Sequence, residues 1–424
     1  MMKRFLLAVA LTLATPAAAA DDDRFTIAVI PDTQNYLDYT HQTGEGFPFD
    51  ARDMFLKQMR YIADNVESAG GEIAFVTALG DVWQHQTLAI DPDHMMRGFK
   101  VAPDAIFSKL FAPTTKVYEV EMPVAKQGYE LIAGKVPFSV VPGNHDYDAM
   151  WTDSKFPSAA KIDPKDLTTI GVLHPGGLSN FRAVFGEHTP FFKDKEWYVS
   201  SNDGGADSAQ IFEAGGYKFL HIGLQFDAPD TSLAWAAKVI AQHPGLPTIV
   251  TTHDYMDKEG ARIPNPLIDG NKVDPTGNNN PQMVWDKLLS QHDQIFMLLC
   301  GHQHGQAIRT DKNRFGNNVY QVLADYQDRG QTAKDAGVKG MNGYPVGIGD
   351  GWMRLMEFDM TGKTPVIHVR TYSTHYEKQS TDTPQYAAWY KASEKPNLSD
   401  DAFHREDDYK IDLTDFHKRF KKAK

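Results

Sequence analysis

Five short apolar runs end in polar residues of metal-ligand type, and this repetition constrains the fold more than any other feature of the chain. FTIAVI (25–30) leads to Pro31, Asp32, Thr33 and Gln34, and IAFVTAL (73–79) to Gly80 and Asp81. PFSVV (137–141) leads to Gly143, Asn144, His145 and Asp146, PTIVT (247–251) to Thr252, His253 and Asp254, and IFMLLC (295–300) to Gly301, His302, Gln303 and His304. The runs, with a sixth at KFLHIGL (218–224), are rich in β-branched or aromatic residues and alternate with helix-like stretches, the pattern of βα units. In α/β sheets ligands bind at the carboxyl ends of strands, so clusters far apart in sequence are expected to converge on one site. The spacing predicts an α/β sandwich with a mixed sheet.

Helices are expected at 51–68, where Met54, Phe55, Met59, Ile62 and Val66 fall at near-helical spacing, at 231–242 with Thr231 as cap, and at 282–291. Two stretches, 86–136 and 148–216, break the rhythm with Pro and Gly turns and read as insertions over the catalytic face. The Pro-, Gly- and Asn-rich loop 255–282 follows His253, and loops of that length are commonly lids or binding loops. GWMRLMEFDM and TPVIHVRTYS read as two closing strands, and 376–424 as a charged, peripheral C-terminal extension beyond a domain spanning 21–375.

Glycines before Asp81, Asn144 and His302 suit tight turns that swing the next side chain over the sheet edge. Mixed Asp, Asn and His ligands suit a first-row ion such as Mn, Fe or Zn better than an all-oxygen Mg or Ca cage. Seven candidates, one carboxylate among them able to bridge, fit two ions better than one. Such a pair holds a bridging hydroxide as nucleophile and neutralises phosphoryl oxygens during in-line displacement.

In their order along the chain, DTQ, GD, GNHD, TTHD and GHQH make residues 25–305 resemble the calcineurin-like metallophosphoesterase family, whose blocks read D-x-H, G-D, G-N-H-D/E, a lone His after a strand, and G-H-x-H. The resemblance implies a four-layer α/β/β/α sandwich with two mixed sheets and loop insertions. It implies that Asp32 and His304 bind a first divalent or trivalent transition-metal ion, that Asp81 bridges, and that Asn144, His253 and His302 bind a second. His145 would be the acid that protonates the leaving oxygen, and Asp146 the residue that orients it. Gln34 departs from the usual histidine; its amide oxygen can coordinate, though less strongly than imidazole, and the PDTQ wording resembles an exported bacterial branch. Gln84 stands where purple acid phosphatases carry their chromophoric tyrosine, so no purple colour is expected.

The expected function is hydrolysis of a small phosphorylated substrate, a phosphomonoester ahead of a diester or nucleotide. The rival from another class is a metal-stabilised binding or scaffolding protein without turnover. His41, His94, His174 and His417 read by default as surface or hydrogen-bonded core residues, and His85 as structural. Asp325, Tyr326 and Gln327, at the end of VYQVLA, read equally well as cleft residues or a solvated strand end. Cys300, the only cysteine, excludes a structural disulfide and reads as core.

Residues 1–20 join Lys3 and Arg4 to an apolar stretch and a run of alanines, the layout of a cleavable secretory signal, so the mature chain is expected to start at Asp21 and to be periplasmic or secreted. Without those residues Lys+Arg falls from 43 to 41 against 55 Asp+Glu, and the net charge from -12 to -14. That balance argues against a nucleic-acid groove, and no later apolar segment is long enough to span a membrane.

Overall fold

The computed structural model describes residues 23–423, apart from 103–104, 164–165 and 340–346; the signal expected over 1–20 lies outside the described residues. The strands are β1 (Arg24–Ile30), β2 (Ile73–Ala78), β3 (Phe138–Val140), β4 (Ala149–Thr152), β5 (Leu173–Gly176), β6 (Tyr198–Asn202), β7 (Asp207–Ala214) and β8 (Tyr217–Gly223). They continue with β9 (Thr248–Thr251), β10 (Ile295–Cys300), β11 (Gly305–Lys312), β12 (Asn318–Asp325), β13 (Trp352–Asp359), β14 (Val366–Ser373), β15 (Lys378–Gln379) and β16 (Tyr409–Asp412).

One sheet runs β15-β14-β13-β1-β2-β3 with β16 also on β14, the other β11-β12-β10-β9-β8-β7-β6. Both are mixed: β1, β2 and β3 are parallel beside antiparallel β13, and β8, β9, β10 and β12 are parallel between antiparallel β7 and β11. Parallel strands buried on both faces need apolar residues on both, and the sequence supplies them. Along β1, Phe25, Ile27 and Val29 join Phe75, Phe219, Phe296 and Met356 between the sheets. Ala28 and Ile30 face outward onto the helices Arg52–Asn65 and Met122–Ile132. On the far side Leu220, Ile222, Val250 and Leu298 pack against Asp230–Gln242 and Pro281–Lys287. The layering is therefore α/β/β/α, and the strand-end clusters share one edge of it.

Four readings change. Residues 148–216 are not wholly an insertion, because β6 and β7 at its end are edge strands of the second sheet. Residues 86–136 likewise contribute Met122–Ile132 to an outer helical layer. The segment 376–424 is not peripheral: β15 and β16 pair with β14, and Tyr386, Tyr390, Phe403, Phe416 and Phe420 are buried in the core between the sheets. Its charges lie between those apolar residues, many of them on exposed positions, which is why composition alone hides the packing. Thr231 is not a cap either; the helix begins at Asp230 after Pro229. Among the described residues no helix is long and apolar enough to cross a membrane.

Candidate metal centre

Asp32, Asp81, His253 and His302, from four different strand ends, each bring a ligand atom to within 4.8 Å of the others. The backbone is forced to do this. Asp81 (φ 50°) and His302 (φ 67°) both occupy the left-handed region that non-glycine residues seldom enter, a strain that clusters at functional sites. The glycines before the ligands act in two ways. Gly80 alone of the three has a left-handed φ, at 103°. Gly143 and Gly301 are needed for space: a Cβ on Gly143 would lie 2.2 Å from Asp81 Oδ1, and one on Gly301 2.3 Å from Asp32 Oδ1.

The imidazoles are held by their neighbours. His253 Nδ1 donates to the Leu79 carbonyl at 2.8 Å, which leaves Nε2 facing Asp81 Oδ1 at 3.2 Å and Asn144 Oδ1 at 3.1 Å. A backbone carbonyl fixing the far nitrogen is the usual support of a metal-ligating histidine. The buried amide oxygen of Gln34 and Nε2 of His302 have no hydrogen-bond partner, while Gln34 Nε2 donates to Asp81 Oδ2 and to Gln327 Oε1, each at 3.2 Å.

The charges within this set are strongly coupled to one another. Burial, then the neighbouring Asp325 carboxylate, pushes Asp32 well above the usual carboxyl range. Burial acts the same way on Asp81, but the imidazoles of His253 and His145 outweigh it and hold that carboxyl low. Burial disfavours a charged His253, yet Asp81 and Asp32 hold its pKa up at about 10. His302 is driven the other way, by burial and by His253. A proton on His253 thus does part of the work of a cation between two carboxylates. Nitrogen and oxygen donors, the two orphaned ligand atoms and the space kept by Gly143 and Gly301 all fit a first-row transition ion.

The other predicted residues are placed less uniformly. Asn144 joins the group through His253. His304 stands outside the four-residue group, exposed, with Nδ1 2.7 Å from Asp328 Oδ2. His145 is half-buried, its backbone N–H donating to Asp81 Oδ1 at 2.8 Å and its ring edge-on to Phe111 at 5.2 Å. Asp146 does not orient it. His145 Nδ1 donates to the Gln84 carbonyl at 2.7 Å, whereas Asp146 accepts from the Val82 and Gly143 N–H groups, both at 2.8 Å. Asp146 therefore clamps the Asp81 turn to the Asn144 turn, and burial, reinforced by Asp81, pushes its pKa up to about 8.

Several supports carry no clear mark in the sequence. Glu121, fully buried in a π-helical turn at Val117–Glu121, accepts from the N–H groups of Tyr39, Gln84 and His85 and from the His85 ring at 2.7 Å. It anchors the strand-end loop whose Gln84 carbonyl holds His145, and gives His85 its structural role. Asp325 and Gln327 do reach the cleft: Gln327 donates to Asp325 at 3.1 Å and accepts from Gln34 and Asn35, whereas Tyr326 turns into the core. Asp328 follows them. Its only sequence signal is its place after the end of β12, a sixth strand terminus.

No family model matches the chain. It is 24% identical over 371 residues to the uncharacterized protein YvnB of Bacillus subtilis (strain 168), a match that takes in 86% of this chain but only 21% of that protein. The chain thus spans about a fifth of the length of this relative. Among solved structures it is similar to a dimetal phosphatase from Danio rerio, with a TM-score of 0.36 and 11% identity over 82% of this chain and 96% of that one. Likeness at that level leaves the chemistry to be argued from the residues.

Proposed function

We propose that the chain is a metal-dependent phosphoric-ester hydrolase acting on small phosphomonoesters. The observation that carries this reading is the buried Asp32, Asp81, His253 and His302 group, with His253 Nε2 fixed between carboxylates and Gln34 and His302 left with unpartnered ligand atoms. Asp81 is the natural bridge, because its two oxygens face different partners: Oδ1 faces His253 and the His145 N–H, Oδ2 faces Gln34. Asn144, His253 and His302 would complete one ion's set, and Asp32, Gln34 and His304 the other's. Bound there, two transition ions would supply Lewis acidity toward a phosphoryl group and a water of lowered pKa.

The chain's own residues do the rest. His145 has Nδ1 committed to Gln84, so only Nε2 can pass a proton to a departing alcohol. Phe111, from the stretch 86–136, lies edge-on against that ring. Asp146 and Glu121 hold the two loops in register without touching substrate.

Hydrolysis of a chromogenic phosphomonoester and the matching phosphodiester, by chelator-stripped protein with Mn, Zn or Fe restored, tests the reading. Turnover is expected to return with the ion and to favour the monoester. Diester preference would move the assignment to a phosphodiesterase or nucleotide hydrolase, and a folded, ion-loaded protein inactive on both would support the binding protein instead.

A further inference from the structure

We propose that His94, His174 and Asp274 form a second, separate cation site for a zinc-class ion, which pins three surface excursions to one another. The site does not depend on the proposed hydrolase activity.

The three residues come from parts of the chain far apart in sequence. His94 is on the short helix Pro92–Met96, His174 is on β5, and Asp274 follows the turn Gly270–Val273 in the loop after β9. Each contributes a ligand atom within 4.8 Å of the other two. His174 and Asp274 are buried, and the side chain of His94 is only 14% exposed.

Two features go beyond proximity. Each imidazole has Nδ1 tied to its own buried carboxylate: His94 to Asp91 Oδ2 at 2.6 Å, and His174 to Asp153 Oδ2 at 3.4 Å. Each Nε2 is thereby left as the ligand atom, and His94 Nε2 lies 3.8 Å from Asp274 Oδ2. Carboxylates that orient imidazoles from behind are the support expected around a metal ion. Asp274 is itself oriented, since Arg97 Nη2 donates at 2.5 Å to Oδ2, the oxygen that faces His94 Nε2. Arg97 faces Asp274 and Lys155 acts on Asp153, whereas the side chain that faces Asp91 is the His94 imidazole itself, so an ion held by the two imidazoles would have a carboxylate behind each of them.

There is also a way in. His94, His174 and Asp274 line a cavity of about 260 Å³, with Arg97, Tyr147 and Asn278 among its other walls. Two histidines, one carboxylate and a water from that cavity make a tetrahedral set suited to zinc. The backbone is built around the pair as well, because a Cβ on Gly176 would lie 1.9 Å from Asp91 Oδ2 and 2.8 Å from His94 Nδ1.

The test is zinc content of the full chain after chelator stripping, reloading and removal of excess ion, with folding followed by circular dichroism. His174→Ala is expected to carry one equivalent less than its parent, and the same decrement is expected in an Asp81→Asn background, where the strand-end centre is disabled. Asp274→Asn, which keeps the side chain's size, gives the same comparison if His174→Ala does not fold. Zinc-edge absorption of Asp81→Asn protein, with this cluster untouched, is expected to show imidazole nitrogens at about 2.0–2.1 Å. Equal zinc content in parent, His174→Ala and Asp274→Asn, or a decrement that vanishes with Asp81→Asn, would overturn the proposal. Failure of the hydrolase reading would leave the decrement in place.

Discussion

Two of the places at which the molecule buries carboxylates treat them differently. Near the C terminus, Arg329 grips Glu394 with two hydrogen bonds, at 2.6 and 2.7 Å, and Asp407 with a third at 2.8 Å, while Arg354 stands 3.8 Å from Asp407. Both guanidiniums are essentially fully buried, so the chain provides the cations for its own anions. At the strand ends Asp32 and Asp81 are as deeply buried, yet the charged partner they share is the His253 imidazole, which is drawn toward protonation in consequence. A set that supplies its own cation is architecture. A set whose charge is balanced by an imidazole can exchange that proton for a metal ion.

The contrast is broken most forcefully at Arg329. Arg329→Met leaves Glu394 buried without its guanidinium, and Asp407 with Arg354 alone at 3.8 Å, and is expected to cost about 3–5 kcal/mol in urea denaturation, with and without added metal alike. Loss that depended on metal would mean that the two clusters are coupled through Asp328, the neighbour of Arg329, which holds His304. Gly143→Ala comes next. Its methyl group would press on Asp81 Oδ1, for a cost of about 1–3 kcal/mol in stability and loss of metal content by elemental analysis.

Much of the strand-end cluster is legible in the amino-acid sequence, because a strand's carboxyl end is fixed by where its apolar run stops. Asp32, Asp81, Asn144, His253 and His302 come together on that rule alone. What the sequence hides depends on loops and on contacts across the fold. Glu121 lies in an irregular helical stretch with no local sign that its carboxylate meets the Gln84 and His85 N–H groups. Asp146 resembles an orienting acid by its position beside His145, yet its carboxylate faces backbone amides. The C-terminal segment reads as peripheral because its buried aromatics, Tyr386, Tyr390, Phe403, Phe416 and Phe420, are spread among many charges.

pH sharpens the comparison. His253 has a pKa held at about 10 against 6.5 for an ordinary imidazole, so it adds stability that is complete below pH 6.5 and lost as pH rises toward 10. Chelator-stripped protein is therefore expected to melt at progressively lower temperature over that range, and ion-loaded protein, in which the proton is replaced, to lack the decline. The smallest effect is expected at Glu121→Gln. Turnover should fall by about 10–100-fold with metal content unchanged, as a residue that only positions the Gln84 carbonyl behind His145 requires.

The most direct test of the central claim is calorimetric titration of stripped protein with Mn or Zn in buffers of different ionisation enthalpy, which counts ions bound and protons released. Binding to the strand-end centre with release of a proton near neutral pH, both lost in Asp81→Asn, is the predicted result, because His253 must give up its proton to become a ligand. Binding of equal stoichiometry and proton release in the parent and in Asp81→Asn would contradict it.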